Sequence, residues 1–266
     1  DEYVINIGPQ HPATHGVLRF RVSLEGEIIR KLDVHCGYIH RGIEKMCESL
    51  TYPQTLALTD RLDYLGASQN RHALCMCIEK GLGVEVSERV QYIRTIMDEL
   101  QRIDSHLLFF ACLCMDMGAL TAFFYGFRDR EKVLDILEQT TGGRLIQTYN
   151  TIGGVQADIH SDFVRRVKEF IAYMRPTLRE YHEVFTGNVI ARERLKGTGV
   201  LTREDAISFG ATGGTGRASG WACDVRKRHP YAMYGKVDFE EVLYDEGDCF
   251  ARYMVRMREI EQSMDI

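Results

Sequence analysis

Between Val90 and Cys114 the apolar residues fall at steps of three and four: Val90, Ile93, Ile96, Leu100, Ile103, Leu107, Phe110 and Cys114. That period is close to 3.6 and places them on one face of a helix packed in a bundle. Near the start of the chain the period is two. Val17, Arg19 and Arg21 interleave with Leu18, Phe20 and Val22, Gly26 supplies a turn, and an extended pattern resumes over 27–34, so a β-hairpin is expected. From Gly42 onward the pattern is helical, and helices are predicted over 43–51, 55–80, 87–115, 121–140, 161–186 and 244–264. Pro53 and the Gly81/Gly83 pair punctuate the first joins. The fold class expected is mainly α, a helical bundle with a small N-terminal β-hairpin element. The expected organisation is a β element over 1–40 followed by one helical domain over 41–266, with neither a solenoid repeat nor a low-complexity linker.

The run 107–127 holds 21 residues with one charge, Asp116, a length that could span a bilayer. Gly118 follows the charge, and the helical register of the preceding segment continues into the run. A buried helix end is therefore preferred to a membrane span.

Composition adds exclusions. In 266 residues, 33 basic and 38 acidic side chains give a net charge of -5, with 45% hydrophobic and 27% charged residues. Disorder is excluded by the apolar fraction. A nucleic-acid partner is not expected, because no basic block concentrates positive charge. The 8 cysteines include Cys75-x-Cys77 and Cys112-x-Cys114 in helix-like stretches. Residues two apart on a helix point about 200° apart, so neither pair can pinch a metal. They read as small core hydrophobes in a reducing compartment.

Several runs carry chemical side chains. His11 and His15 are four apart, but Pro9, Pro12 and Gly16 favour a turn over a helical zinc pair, and a histidine in a turn can offer a proton to a cavity. His35, Cys36 and His40 are metal-ligand types without a second cluster of matching spacing. Arg61 and Tyr64, three apart in the predicted second helix, share a face and could address an oxygen or an anion, or could equally be solvated surface residues. Asp104, Ser105 and His106 are adjacent on a helix and cannot converge as a hydrolytic triad. The glycine-rich stretch 210–220 lacks Gly-Lys-Ser/Thr, and its Gly214, Gly216 and Gly220 are one residue too long for G-x-G-x-x-G. It is expected to be a close-packed loop and not a nucleotide site.

Taken together, these motifs resemble the D-type subunit family of respiratory complex I, NADH:quinone oxidoreductase. The resemblance rests on Asn6-Ile-Gly-Pro-Gln-His-Pro-Ala-Thr-His-Gly-Val-Leu-Arg19, Gly37-Tyr-Ile-His-Arg-Gly-Ile-Glu-Lys45, Asp60-Arg-Leu-Asp-Tyr64 and Met117-Gly-Ala-Leu-Thr-Ala-Phe-Phe124. Further matches are Phe127-Arg-Asp-Arg-Glu131, Gly153-Gly-Val155, Arg217-Ala-Ser-Gly220 and Asp224-Val-Arg-Lys227, in order along essentially the whole chain.

This resemblance implies a fold like the large subunit of nickel–iron hydrogenases. Those enzymes hold their metal with cysteine pairs, whereas Asp63 and Gly66 stand at the matching positions here, so no nickel–iron site is expected. It implies a component of a proton-translocating NADH:quinone oxidoreductase, active in the assembled complex. Such a component forms the quinone-reduction cavity with the iron–sulfur B-type subunit, which carries a 4Fe–4S cluster. It also adjoins the C-type subunit and the membrane-arm subunits. Quinone is the substrate, and the chain binds no cofactor or metal of its own.

By motif, His15 matches the histidine that approaches the quinone headgroup, Tyr64 the tyrosine that hydrogen-bonds its other oxygen, and Asp116 the acid paired with that histidine. Arg41 and Arg61 match arginines near the partner's cluster, where positive charge raises its potential. Ile146 stands where many members carry a histidine. The resemblance further implies that the C-terminal part of the family is missing from this sequence. The location implied is peripheral, on the cytoplasmic side of the cell membrane or the matrix side of the mitochondrial inner membrane. The alternative is a hydrogenase-like large subunit that has lost its metal and serves only as a scaffold.

Overall fold

Residues with period two and residues with period 3.6 fold into separate parts. A computed structural model describes residues 2–266, the side chain of Ala13 excepted, and divides the chain into two units, Asp1–Thr51 and Tyr52–Ile266.

The first unit contains the strands β1 (Glu2–Ile7), β2 (Gln10–His11), β3 (Gly16–Val17), β4 (Arg19–Glu25) and β5 (Ile28–His35), then a short helix α1 (Ile43–Cys47). The hairpin expected from sequence is β4–β5, paired antiparallel with a bulge between Ser23 and Leu24. The pattern reading missed β1, which joins the other side of β4 to make a three-stranded sheet of order β1-β4-β5. Its register sets Tyr3, Ile5 and Ile7 opposite Leu24, Val22 and Phe20, which in turn oppose Ile29, Leu32 and Val34. One face of the sheet is therefore continuously apolar, because alternate side chains point to the same side. The predicted helix over 43–51 is shorter than expected, ending at Cys47.

The second unit is helical: α2 (Tyr52–Thr59), α3 (Ala67–Leu82), α4 (Glu88–Asp116), α5 (Leu120–Thr141), α6 (Phe163–Tyr181), α7 (Val189–Leu195), α8 (Arg203–Ser208), α9 (Gly213–Ala218), α10 (Val225–Arg228) and α11 (Cys249–Asp265). A two-residue-strand hairpin, β6 (Asn150–Thr151) with β7 (Gly154–Val155), lies between α5 and α6. Helix α4 is the spine. Its predicted stripe is buried at Ile93, Leu100, Ile103, Leu107, Phe110 and Cys114, against residues of α5, α6 and α11. Phe110 stacks on Tyr181 with ring centroids 4.3 Å apart and meets Phe185 edge-on at 5.9 Å. Ser87 caps α4 by accepting from the Val90 amide.

Helices α4 and α5 form a hairpin whose closest approach is at Gly126. A Cβ there would lie 2.8 Å from the Ala111 Cβ and 3.1 Å from the Leu107 carbonyl oxygen, so only glycine fits.

Three expectations are corrected. The predicted helix over 55–80 is broken: α2 ends at Thr59 and α3 starts at Ala67, with a turn at 60–66 between them. The apolar run 107–127 is, as the predicted helices over 87–115 and 121–140 imply, two helix ends, joined by Met117, Gly118 and Ala119 with Gly118 at φ 81°. Among the described residues no helix is long and apolar enough to cross a membrane. The glycine stretch 210–220 is not all loop, because Gly213–Ala218 is the short helix α9 packed on α11. The last helix begins at Cys249 and not near 244, where the Asp248 side chain accepts from the Ala251 amide. Of the cysteine pairs, Cys75 and Cys114 are buried in cores, while Cys77 is exposed and Cys112 only half-buried. That is the split expected of residues about 200° apart on a helix.

Candidate functional site

The break between α2 and α3 positions two candidate residues. Arg61, Leu62, Asp63 and Tyr64 are all exposed, Tyr64 by 52%, between the buried Asp60 and the buried Gly66. Arg61 and Tyr64 thus stand on one exposed turn. The shared helix face expected from their spacing does not exist. The turn's own bonds are local. The Asp63 side chain accepts from the Leu65 amide at 2.9 Å, the Gly66 amide donates to the Asp63 carbonyl at 3.1 Å, and Arg61 Nη1 donates to the Ala57 carbonyl at 2.7 Å. This is an Asx-type turn, in which a short polar side chain replaces a backbone partner. The Asp63 carboxylate is committed to the loop, and Gly66 has no side chain to offer a ligand atom.

Both ends of the turn are fixed to the bundle. At its start, Asp60 is wholly buried and accepts from Arg71 Nη1 at 2.7 Å; burial pushes its carboxyl up against the pull of Arg71. The same guanidinium donates to the Leu56 carbonyl at 3.2 Å and, through Nε, to the Asn150 carbonyl. At its end, Ser68 donates to Asp98 at 3.0 Å, Gln69 donates to the Asp98 carbonyl at 3.1 Å, and His72 Nδ1 lies 2.6 Å from the other Asp98 oxygen. Farther along α3, Glu79 takes both terminal nitrogens of Arg94, at 3.0 and 2.7 Å. Helix α3 therefore runs antiparallel to α4, with these contacts at Arg94 and Asp98 in the N-terminal half of that helix.

The far end of α4 carries Asp116, the third candidate. It is exposed, in the last helical turn before the Gly118 bend, so the single charge of the apolar run is not buried. Helix C-termini present unpaired carbonyls and repel a carboxylate by about 0.3–1 kcal/mol. The nearby negative charge also contributes to raising the Cys112 thiol, after burial as the larger cause.

The remaining candidates lie in the first unit. His15 stands in a tight loop between β2 and β3, which pair Gln10 with Val17 and His11 with Gly16. A 3-10 turn over Pro12–Thr14 precedes it, and Thr14 Oγ lies 2.7 Å from the His11 carbonyl and 2.9 Å from that of Gly16. The turn expected from the prolines is present. His15 itself takes φ 46°, a left-handed conformation uncommon for a residue with a side chain, and its ring is exposed. Arg41 is exposed just before Gly42, the residue that precedes α1.

Pattern reasoning missed a buried charge network in the second unit. Glu99 accepts from Arg226 at 3.0 Å, Tyr234 at 2.5 Å and Ser263 at 2.6 Å. Burial favours the neutral form of Glu99, yet Arg102 and Arg226 hold it down to about 2. Glu259 meets His106 at 2.8 Å and Arg217 Nε at 2.7 Å. Asp104 instead pairs with Arg130 at 2.8 Å, so the rejected triad is rejected by geometry as well. The partners of Glu99 and Glu259 are 42 to 164 residues away except for Arg102, at a separation no local pattern can reveal. Ile146 is half-buried beside the buried Gln147. Among the described residues, no group of three or more histidine, cysteine, aspartate or glutamate side chains is placed to hold a metal ion.

Comparison with known proteins gives concordant matches. Residues 116–266 match the model of the family described as respiratory-chain NADH dehydrogenase, 49 Kd subunit. Over its full length the chain is 89% identical to the C/D subunit of the NADH-quinone oxidoreductase of Phocaeicola vulgatus and 79% identical to that of Bacteroides thetaiotaomicron, covering 51% and 50% of those proteins. It is 45% identical to the D-type subunit of the NADH-quinone oxidoreductase of Geobacillus kaustophilus, of which it covers 72%. The chain thus spans about half the length of the C/D relatives it matches.

Proposed function

The chain belongs to the family of the respiratory-chain NADH dehydrogenase 49 Kd subunit, and from that premise we propose that it forms a quinone-reduction cavity together with an iron–sulfur subunit. In this reading it acts only in the assembled complex. Its partners are the B-type and C-type subunits and the membrane-arm subunits, and its place is peripheral, on the cytoplasmic side of the membrane (the matrix side in a mitochondrion). The observation that carries the reading is the full-length similarity to proteins named for quinone reduction.

Reduction of a quinone to a quinol consumes two electrons and two protons. A 4Fe–4S cluster held by the iron–sulfur partner would supply the electrons. In this reading the cluster is not held by this chain: Cys75 and Cys114 are buried in cores, and Asp63 and Gly66 provide no thiolate. This chain's residues would bind and protonate. The Tyr64 hydroxyl, presented on an exposed turn, donates to one quinone oxygen. His15, presented on a loop tip, donates to the other, and Asp116 is the acid that the motif resemblance assigns beside that histidine. Arg41 and Arg61 place positive charge toward the partner's cluster, where it favours the reduced state.

Two features support these roles. Asp116 sits at a helix end that disfavours its charge, and His15 holds a backbone conformation that disfavours its side chain. Such locally unfavourable choices concentrate at functional positions.

The test is quinone reductase activity of assembled complex carrying Tyr64→Phe or His15→Ala. Each is expected to lower quinone reduction by about 10- to 100-fold, the usual contribution of a positioned proton donor. Full activity in both variants would overturn the assignment.

A further inference from the structure

Resting on the reading of Tyr64 as a quinone contact, the structure assigns Asp60 and Arg71 as the positioning pair that aims Tyr64. The side chains at 61–64 are exposed, so the tip of the turn is not packed into the core; Arg61 ties it to the Ala57 carbonyl of α2, and the two roots attach it to the rest of the bundle. The C-terminal root is attached to α4 through Ser68, Gln69 and Asp98. The N-terminal root has Asp60, and Asp60 has Arg71.

Arg71 is suited to that task because of what else it holds. Its guanidinium reaches the Leu56 carbonyl in α2, the Asp60 carboxylate and the Asn150 carbonyl in the β6–β7 hairpin. Asn150 in turn donates to the Ser68 carbonyl at 3.3 Å, beside the other root. One planar, always-charged fork thus ties both ends of the Tyr64 turn to a common hairpin, which a lysine ammonium cannot reproduce. Asp60 Oδ1 has no hydrogen-bond partner and is buried, so the carboxylate relies on Arg71. The remainder of α2 offers little to replace it, since Thr55 and Leu56 are its only buried residues. Without the pair, the turn keeps its local shape but can swing about Gly66, and Tyr64 no longer meets a quinone oxygen at bonding distance.

The experiment uses assembled complex with Asp60→Asn, Arg71→Lys, Tyr64→Phe and the double variant Asp60→Asn/Tyr64→Phe, assayed with a short-chain quinone. NADH-driven ferricyanide reduction reports the electron path upstream of the quinone. The expected result is a KM for quinone raised about tenfold in Asp60→Asn and Arg71→Lys, with ferricyanide reduction and the amount of assembled complex unchanged. Asp60→Asn is expected to add no further loss in the Tyr64→Phe background, because it acts through Tyr64. An unchanged KM in Asp60→Asn, or losses that simply add in the double variant, would overturn the proposal while leaving Tyr64 in place. If Tyr64→Phe itself has wild-type kinetics, the quinone reading fails and the positioning role with it. Should Asp60→Asn not assemble, Arg71→Lys decides by the same KM criterion.

Discussion

The sheet unit and the helical unit place their apolar residues in opposite ways. Among the described residues of the first, Val22 alone is a buried hydrophobic side chain, while Ile29, Leu32 and Val34 on the same sheet face are 61%, 50% and 53% exposed. In the second, α4 alone buries six large core hydrophobes from Ile93 to Phe110, with Ala111 and Cys114 beside them, and Arg–carboxylate pairs are buried around them. The candidate residues divide along the same line. Tyr64 and Asp116 stand on a scaffold with its own core, whereas His15 and Arg41 stand on elements held mostly by backbone ladders and local bonds. Substitutions should therefore act globally in the helical unit and locally in the sheet unit.

The largest test of that contrast is a pair of truncations. Phe110→Ala is expected to cost about 3–5 kcal/mol in urea denaturation, since the stacked ring has no room to be replaced by water. Leu32→Ala, half exposed, should cost less than about 1 kcal/mol. Equal costs would break the comparison.

Acid gives the next effect. Glu99 is held at about 2, below its ordinary 4.5, and Glu79 and Asp224 are also lowered; burial opposes the shift in all three, while Arg226 and Arg102 (Glu99), Arg94 (Glu79) and Arg226 (Asp224) hold them down. A lowered acid binds fewer protons folded than unfolded. Its stabilisation is therefore full above the unfolded pKa and is lost as pH falls toward the folded one. The helical unit should lose up to roughly 3 kcal/mol through Glu99 alone between pH 4.5 and 2. A Glu99→Gln chain, already destabilised at neutral pH, should show a shallower slope in acid titration followed by helical circular dichroism.

Two smaller effects sharpen the picture at the candidate residues. At φ 46°, replacing His15 by Ala should leave the loop about 1 kcal/mol less stable than replacing it by Gly, read as hydrogen exchange confined to the β2–β3 amides. Exchange changes spreading into α4 would contradict local action. Asp116→Asn should change the stability of α4 by less than about 1 kcal/mol, while quinone reduction falls in the assembled complex. Unchanged quinone reduction would argue that Asp116 has no role in the chemistry.

Elements whose cause is local were legible in the sequence. The stripe of α4, its Ser87 cap and the β4–β5 hairpin all follow from neighbours within one or two turns. The break at 60–66 was not, because at the end of α2 Asp60 accepts from Arg71, and Arg71 also donates to the Asn150 carbonyl, far along the chain. Strand β1 was missed because its partner β4 lies beyond the intervening loop. Helices α7 and α8 are too short for a period, although the capping side chains of Asn188 and Thr202 mark their starts. The candidate residues came from resemblance. Spacing alone placed Arg61 and Tyr64 on a helix that is not there, and it could not distinguish the exposed Asp116 from a buried acid.

The contact at Gly126 has a mechanical consequence. With no side chain between them, α5 bears directly on α4 at Ala111, so a tilt of α4 about that crossing would have unequal arms. Asp116 lies about 7.5 Å along the axis on one side, while Glu88 lies roughly 35 Å away on the other. A tilt of α4 that carried its far end through about 5 Å, as an illustration, would move the carboxylate only about 1 Å. On such a tilt the acid would sit on the short arm of the lever.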